Sequence, residues 1–242
     1  NLQNLKSQAL YEFLPGRQKQ IEFVKTYKPK VITLTMGGND VDFAGKLQDC
    51  AGLTSVKTCS WARADQDRDR LANEIASQFD NLTKLYKELY DASDHQSKIY
   101  IIGYPQFISD DENASCPVNI GLLNYEERHM INQAVTYLNL VIEKAAKNVG
   151  VKYINIENSL DGHRLCDDSY SYVNGVTDVN GVLRNLGIVD RYEQQESFHP
   201  DLSGNAAMWR SIMGKNNLND INLLDYNNCP GSLVNICPDP NA

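Results

Sequence analysis

The sequence predicts an α/β fold, with a parallel sheet covered on both faces by helices. Three observations support this. Short apolar, β-branched runs recur at Val31–Met36, Lys98–Gly103 and Lys152–Ile156, each bounded by turn residues, as in strands buried inside a parallel sheet. Between them lie long segments whose apolar residues repeat every three or four positions, the period of an amphipathic helix. Crossovers of that length join parallel neighbours rather than hairpins. There is no internal repeat, so residues 1–242 are expected to form one domain.

In chain order, Leu2, Leu5, Leu10 and Leu14 stand at helical spacing until Pro15-Gly16 breaks the run. Residues 17–27 predict a short helix with Ile21, Val24 and Tyr27 on one face, ended by Lys28-Pro29-Lys30. A helix feeding directly into a strand is half of a βαβ unit, so its first strand is expected upstream of Asn1. Alternating charges over 63–70 read as a solvated helix start. Leu71, Ile75, Phe79, Leu82, Tyr86 and Leu89 continue it as one long helix. A second long helix over about 123–148 places Met130, Ala134, Leu138, Val141 and Ala145 on one face. Residues 157–195 have no clean period; so long an irregular segment is expected to wall a cleft. A last helix near 202–213 is expected to turn Ala206, Trp209 and Ile212 inward, ahead of an Asn-rich tail over 215–242.

Charge and cysteine content narrow the function classes. A net charge of −8 disfavours nucleic acid and anionic membrane, which need clustered Lys and Arg. No apolar run is long enough to span a bilayer. Six cysteines without a C-x-x-C pair read as disulfides formed in an oxidising compartment, hence a secreted protein. Six cysteines allow about fifteen pairings; proximity favours Cys50–Cys59 and Cys229–Cys237, with Cys116–Cys166 flanking the second long helix. No His, Cys or Asp cluster has metal-ligand spacing, and Gly37-Gly38 lacks the third glycine of a dinucleotide fingerprint. Neither a metal nor a cofactor is expected.

Two stretches point to chemistry. Gly37-Gly38-Asn39-Asp40 closes the first strand, and ligands of open α/β sheets sit outside the carboxyl ends of strands. An Asn held there can aim its amide at a developing oxyanion. Far downstream, His199 follows Glu196 by three residues and precedes Pro200, a rigid setting for an imidazole oriented by a carboxylate. Asp201 and Glu193 are the nearest competitors for the acid's place. Of the other histidines, His163 could line the cleft, while His95 and His129 belong to polar helix surface.

Together the two stretches resemble the SGNH (GDSL-type) hydrolases, with Gly37–Asp40 matching the oxyanion-asparagine block and Glu196-x-x-His199-Pro200 the acid-x-x-His block. Ile101–Pro105 and Gly162–Cys166 are similar to linker segments of the secreted, disulfide-bonded branch. The resemblance implies a flavodoxin-like three-layer α/β/α fold and an ester hydrolase of the esterase, lipase or phospholipase type. His199 would be the base, Glu196 its orienting acid and Asn39 an oxyanion donor, with Gly38 and His163 on the substrate side. Its substrate would be an acyl lipid or an acylated carbohydrate. The family's Gly-Asp-Ser nucleophile block does not occur in these 242 residues; the resemblance places it upstream, on an N-terminal fragment of the same polypeptide. The competing expectation is a binding module that keeps the fold without catalysis.

Overall fold

The computed structural model describes residues 19–43, 46–47, 65–116, 123–167, 169–175 and 198–214. The expected helix over 1–14, Glu196, the Cys50–Cys59 and Cys229–Cys237 pairs and the tail over 215–242 lie outside the described residues.

The elements follow the predicted alternation: α1 (Gln20–Tyr27), β1 (Val31–Leu34), a 3-10 turn (Gly38–Val41), α2 (Asp65–Ala92), β2 (Lys98–Ile102), α3 (Tyr125–Val149), β3 (Lys152–Ile154) and α4 (Leu202–Ile212). The three described strands are parallel in the order β1-β2-β3. Register runs Val31 opposite Lys98 and Tyr100 opposite Lys152. Side-chain alternation along β2 divides the core. Ile99 and Ile101 face α1, α2 and α3, packing with Ile21, Leu82, Leu85, Ile131, Leu138 and Ile142. Tyr100 and Ile102 face the other way, with Ile154, Ile156 and, from α4, Ile212. The result is the expected three-layer α/β/α arrangement.

Both long helices carry local reasons to form. Asp65 pairs with Arg68 and Asp67 with Arg70, one turn apart in the first turns of α2, so the alternating charges are a solvated helix start. α3 begins with a capping box: the Asn124 side chain accepts from Glu127 N–H while the Glu127 carboxylate accepts from Asn124 N–H. It ends at Gly150, whose φ of 80° is the left-handed cap that glycine adopts freely.

Three expectations on facing are corrected. β1 is only half-buried, with Thr33 exposed, because among the described strands it pairs on one side alone. Tyr27 is 71% exposed and stacks on Phe23 at 5.9 Å instead of joining Ile21 in the core. In α4 the inward residues are Gly204, Ala207 and Ile212, whereas Ala206 is exposed and Trp209 is 55% exposed. Contacts to another segment hold that rotation: Asp201 N–H donates to Tyr172 O at 2.9 Å and Gly204 lies against the same carbonyl. The Asp201 carboxylate caps the helix by accepting from Gly204 N–H at 2.8 Å.

Leu82 is fully buried where α2 meets α3, and Leu82→Ala leaves a cavity that neither helix can close. It is expected to cost about 3 kcal/mol of stability, read as a lowered midpoint in urea denaturation with the slope unchanged.

Candidate functional site

At the carboxyl ends of the strands stand the turn that bears Asn39 and, through ring contacts with the loop after β2, the segment that bears His199. Asn39 lies in the 3-10 turn after β1, closed by Asp40 N–H to Gly37 O and Asp42 N–H to Asn39 O at 3.1 and 3.2 Å. Gly37 opens it at φ 120°, a backbone angle that side chains rarely permit, directly above the Leu138, Ile142 and Leu82 side chains. Gly38 is buried and donates its N–H to the Tyr104 hydroxyl at 3.0 Å; Asn39 itself is exposed.

His199 is exposed in the short segment before α4. Its backbone is tied rather than loose. Asn174 N–H donates to His199 O at 2.9 Å, Phe198 N–H to Asn174 O at 3.0 Å, and Asp201 N–H to Tyr172 O at 2.9 Å. Phe198 is held at φ 62°, a conformation that costs an aromatic residue energy and persists only when its surroundings impose it. Its ring packs edge-on against Phe107 at 5.9 Å, and Phe107 meets Phe43 at 6.4 Å. Phe43 stands just after the turn that carries Asn39, and Phe107 lies in the loop after β2. A row of three rings therefore joins the Asn39 turn to the His199 segment across the sheet's carboxyl edge.

His163 is engaged from two sides. Its ring stacks on Tyr172 at 3.8 Å and nearly parallel, and Nδ1 lies 2.9 Å from the Tyr170 carbonyl oxygen. With Tyr172 also accepting from Asp201, His163 braces the strap on which the His199 segment hangs. His95 and His129 are exposed and pair with Asp91 and Asp110 at 3.0 and 3.1 Å. Against a burial that works the other way, the bonds from His129 and Asn132 hold the Asp110 carboxyl below its usual range.

A polar network beneath this edge escaped the sequence reading. Asn139, buried in α3, accepts from Tyr104 N–H at 2.7 Å and donates to Tyr104 O at 2.9 Å and to the Glu157 carboxylate at 2.9 Å. Asn132, seven residues earlier, donates to Ile108 O at 2.9 Å. Arg128 is buried and gives its guanidinium to the carbonyls of Ser109, Asp111 and Leu123. Thr136 and Gln106 both donate to Glu157. One signal could have revealed the network: Asn132 and Asn139 interrupt an otherwise apolar stripe at heptad spacing.

Cys116 and Cys166 are bonded, tying the loop after β2 to the loop after β3. At a sequence separation of 50, the chain-entropy contribution is about 4 kcal/mol. Among the described residues no group of three or more His, Cys, Asp or Glu is arranged to hold a metal ion. No described helix is long and apolar enough to cross a membrane.

Gly204 is the glycine on which the His199 strap depends. A Cβ there would collide with the Tyr172 carbonyl oxygen and come within 2.8 Å of Pro200 Cβ. Gly204→Ala is expected to lower stability by about 2 kcal/mol, seen as a depressed melting temperature, whereas alanine at Leu202, 87% exposed, leaves it nearly unchanged.

Comparison with known proteins agrees with this architecture. The chain is 26% identical over 186 residues to a lipase of Streptomyces rimosus, a match covering 76% of this chain and 59% of that relative's length. Solved structures share the fold. The extracellular lipase of Streptomyces rimosus superposes with a TM-score of 0.52 at 22% identity, over 76% of this chain and 68% of that one. Phospholipase A1 of Streptomyces albidoflavus does so with 0.56 at 22% identity, over 80% and 74%. The sequence model of the GDSL-like Lipase/Acylhydrolase family matches residues 8–207, and this chain belongs to that family.

Proposed function

We propose that this chain belongs to a secreted serine ester hydrolase working through an acyl-enzyme. His199 is the general base, Glu196 orients its ring, and the Asn39 amide stabilises the tetrahedral oxyanion. The nucleophile such a mechanism requires is a serine hydroxyl. As His199 takes its proton, the serine oxygen bonds to the ester carbonyl carbon. The carbon–oxygen bond to the alcohol then breaks as His199 gives that proton to the departing oxygen. Water activated by His199 then releases the acid. Gly38, buried with its N–H taken by Tyr104, shapes the Asn39 turn rather than donating to the oxyanion, and His163 walls the substrate side.

The observation that best supports this reading is the aromatic row Phe43–Phe107–Phe198, which runs from the Asn39 turn to the His199 segment. Family membership adds a reaction class. Relatives named as a lipase and a phospholipase A1 favour an acyl ester of a lipid as substrate over an acylated carbohydrate. The Cys116–Cys166 bond and an extracellular relative favour secretion.

In the full polypeptide, Asn39→Ala is expected to lower kcat about a hundredfold or more while KM changes little; an unaltered kcat removes Asn39 from the mechanism. His199→Ala is expected to abolish turnover of short-chain esters with the melting temperature retained. Labelling by a fluorophosphonate probe checks the serine: an unlabelled, inactive polypeptide favours a binding module instead.

A further inference from the structure

The 3-10 turn that presents Asn39 begins with a problem of backbone chemistry. The first N–H groups of any helical turn lack an internal acceptor, and at Gly38 that N–H is buried. A buried donor left unmet is costly, so something must accept from it. The acceptor is the hydroxyl of Tyr104, 66 residues away, at 3.0 Å. Closeness is built in on both sides. The Tyr104 ring and hydroxyl stand so near that a Cβ on Gly38 would lie 3.2 Å from them.

Tyr104 is itself fixed. The Asn139 side chain grips its backbone twice, at N–H and at C=O, and Asn139 is held in turn by Glu157. Gly103, just before it, packs so tightly that a Cβ would fall 2.9 Å from Asn139 Oδ1. Burial pushes the Tyr104 phenol above its ordinary pKa, and the nearby Asp40 charge acts in the same direction, so the group stays a neutral hydroxyl through the working range of an esterase. The chain Glu157–Asn139–Tyr104–Gly38 thus runs from the end of β3, through α3 and the end of β2, to the turn after β1.

We propose that Tyr104 is a positioning residue for ester hydrolysis, its hydroxyl locking the Gly38 amide so that the Gly37–Asn39 turn holds the Asn39 side chain in one orientation. This rests on the hydrolase reading above. Tyr104 touches neither substrate nor oxyanion; it acts through Asn39. The aromatic ring fills space that phenylalanine fills equally well, so Tyr104→Phe removes the hydroxyl and little else.

The test is a double-mutant cycle in the full polypeptide, with p-nitrophenyl butyrate as substrate. Tyr104→Phe is expected to lower kcat about tenfold, the worth of one hydrogen bond, with KM within twofold and faster hydrogen exchange at the Gly38 amide. In the Asn39→Ala background the same change is expected to lower kcat no further. A purely structural tyrosine would lower the melting temperature without separating kcat from KM. Unchanged kcat in Tyr104→Phe, or a loss that multiplies with that of Asn39→Ala, overturns the inference while leaving the hydrolase reading intact. A wild-type polypeptide with no esterase activity overturns both.

Discussion

The loop after β2 sets the terms for the rest of this structure. Once a strand leaves the sheet its N–H and C=O groups lose their ladder partners, yet Gly103 and residues 107–109 are buried and those between them half-buried. Backbone groups there must find partners elsewhere. One set comes from the end of β3 and the chain after it: Gly103 and Gln106 donate to Ile154 and Glu157 carbonyls, and an isolated parallel bridge pairs Ile108 with Leu165. The other comes from a ridge of polar side chains on α3, in which Arg128, Asn132 and Asn139 each reach a carbonyl of the loop. A buried guanidinium is expensive unless its donors are met, and here main-chain carbonyls meet them. With the loop fixed, Tyr104 and Phe107 stand in place, and both neighbouring turns lean on them.

Such an arrangement explains why an exposed Asn39 and an exposed His199 can belong to one edge without depending on each other directly. Each is carried by a short turn with a left-handed residue, Gly37 in one and Phe198 in the other. Glycine takes such an angle readily, whereas at Phe198 it is strained and survives only against a rigid support. For Phe198 the support is Phe107; beneath Gly37 lie the Leu82, Leu138 and Ile142 side chains.

The elements set by apolar period were legible in the sequence, because burial on one face decides them: Leu71, Ile75, Leu82 and Leu89 in α2, or Ala134, Leu138 and Val141 in α3. So were the turn at Gly37–Asp40 and the segment at His199, since glycine and proline restrict the backbone locally. Facing was misjudged where contacts with another segment outweigh the pattern. Asp201 N–H donates to the Tyr172 carbonyl and Gly204 lies against it, which sets α4 so that Ala207, not Ala206 or Trp209, turns inward. The Tyr104–Gly38 bond was invisible for a different reason: its partners are 66 residues apart, and a tyrosine in a loop carries no mark of the amide it will meet. Asn132 and Asn139 were in plain view as polar breaks in a buried stripe, but what they bind follows only from the path of another loop.

The Cys116–Cys166 bond closes a covalent ring that contains α3, β3 and the chain after β3 as far as Cys166. A protease that cuts the backbone once anywhere inside that ring opens it without releasing either piece. The two sides of the cut stay joined through sulfur, and the polar ridge of α3 stays threaded against the carbonyls it serves. Nicked and intact molecules would therefore share one mobility until a reductant is added, and a scissile peptide in this region would be a poor switch for shedding any part of the edge that bears Asn39 and His199.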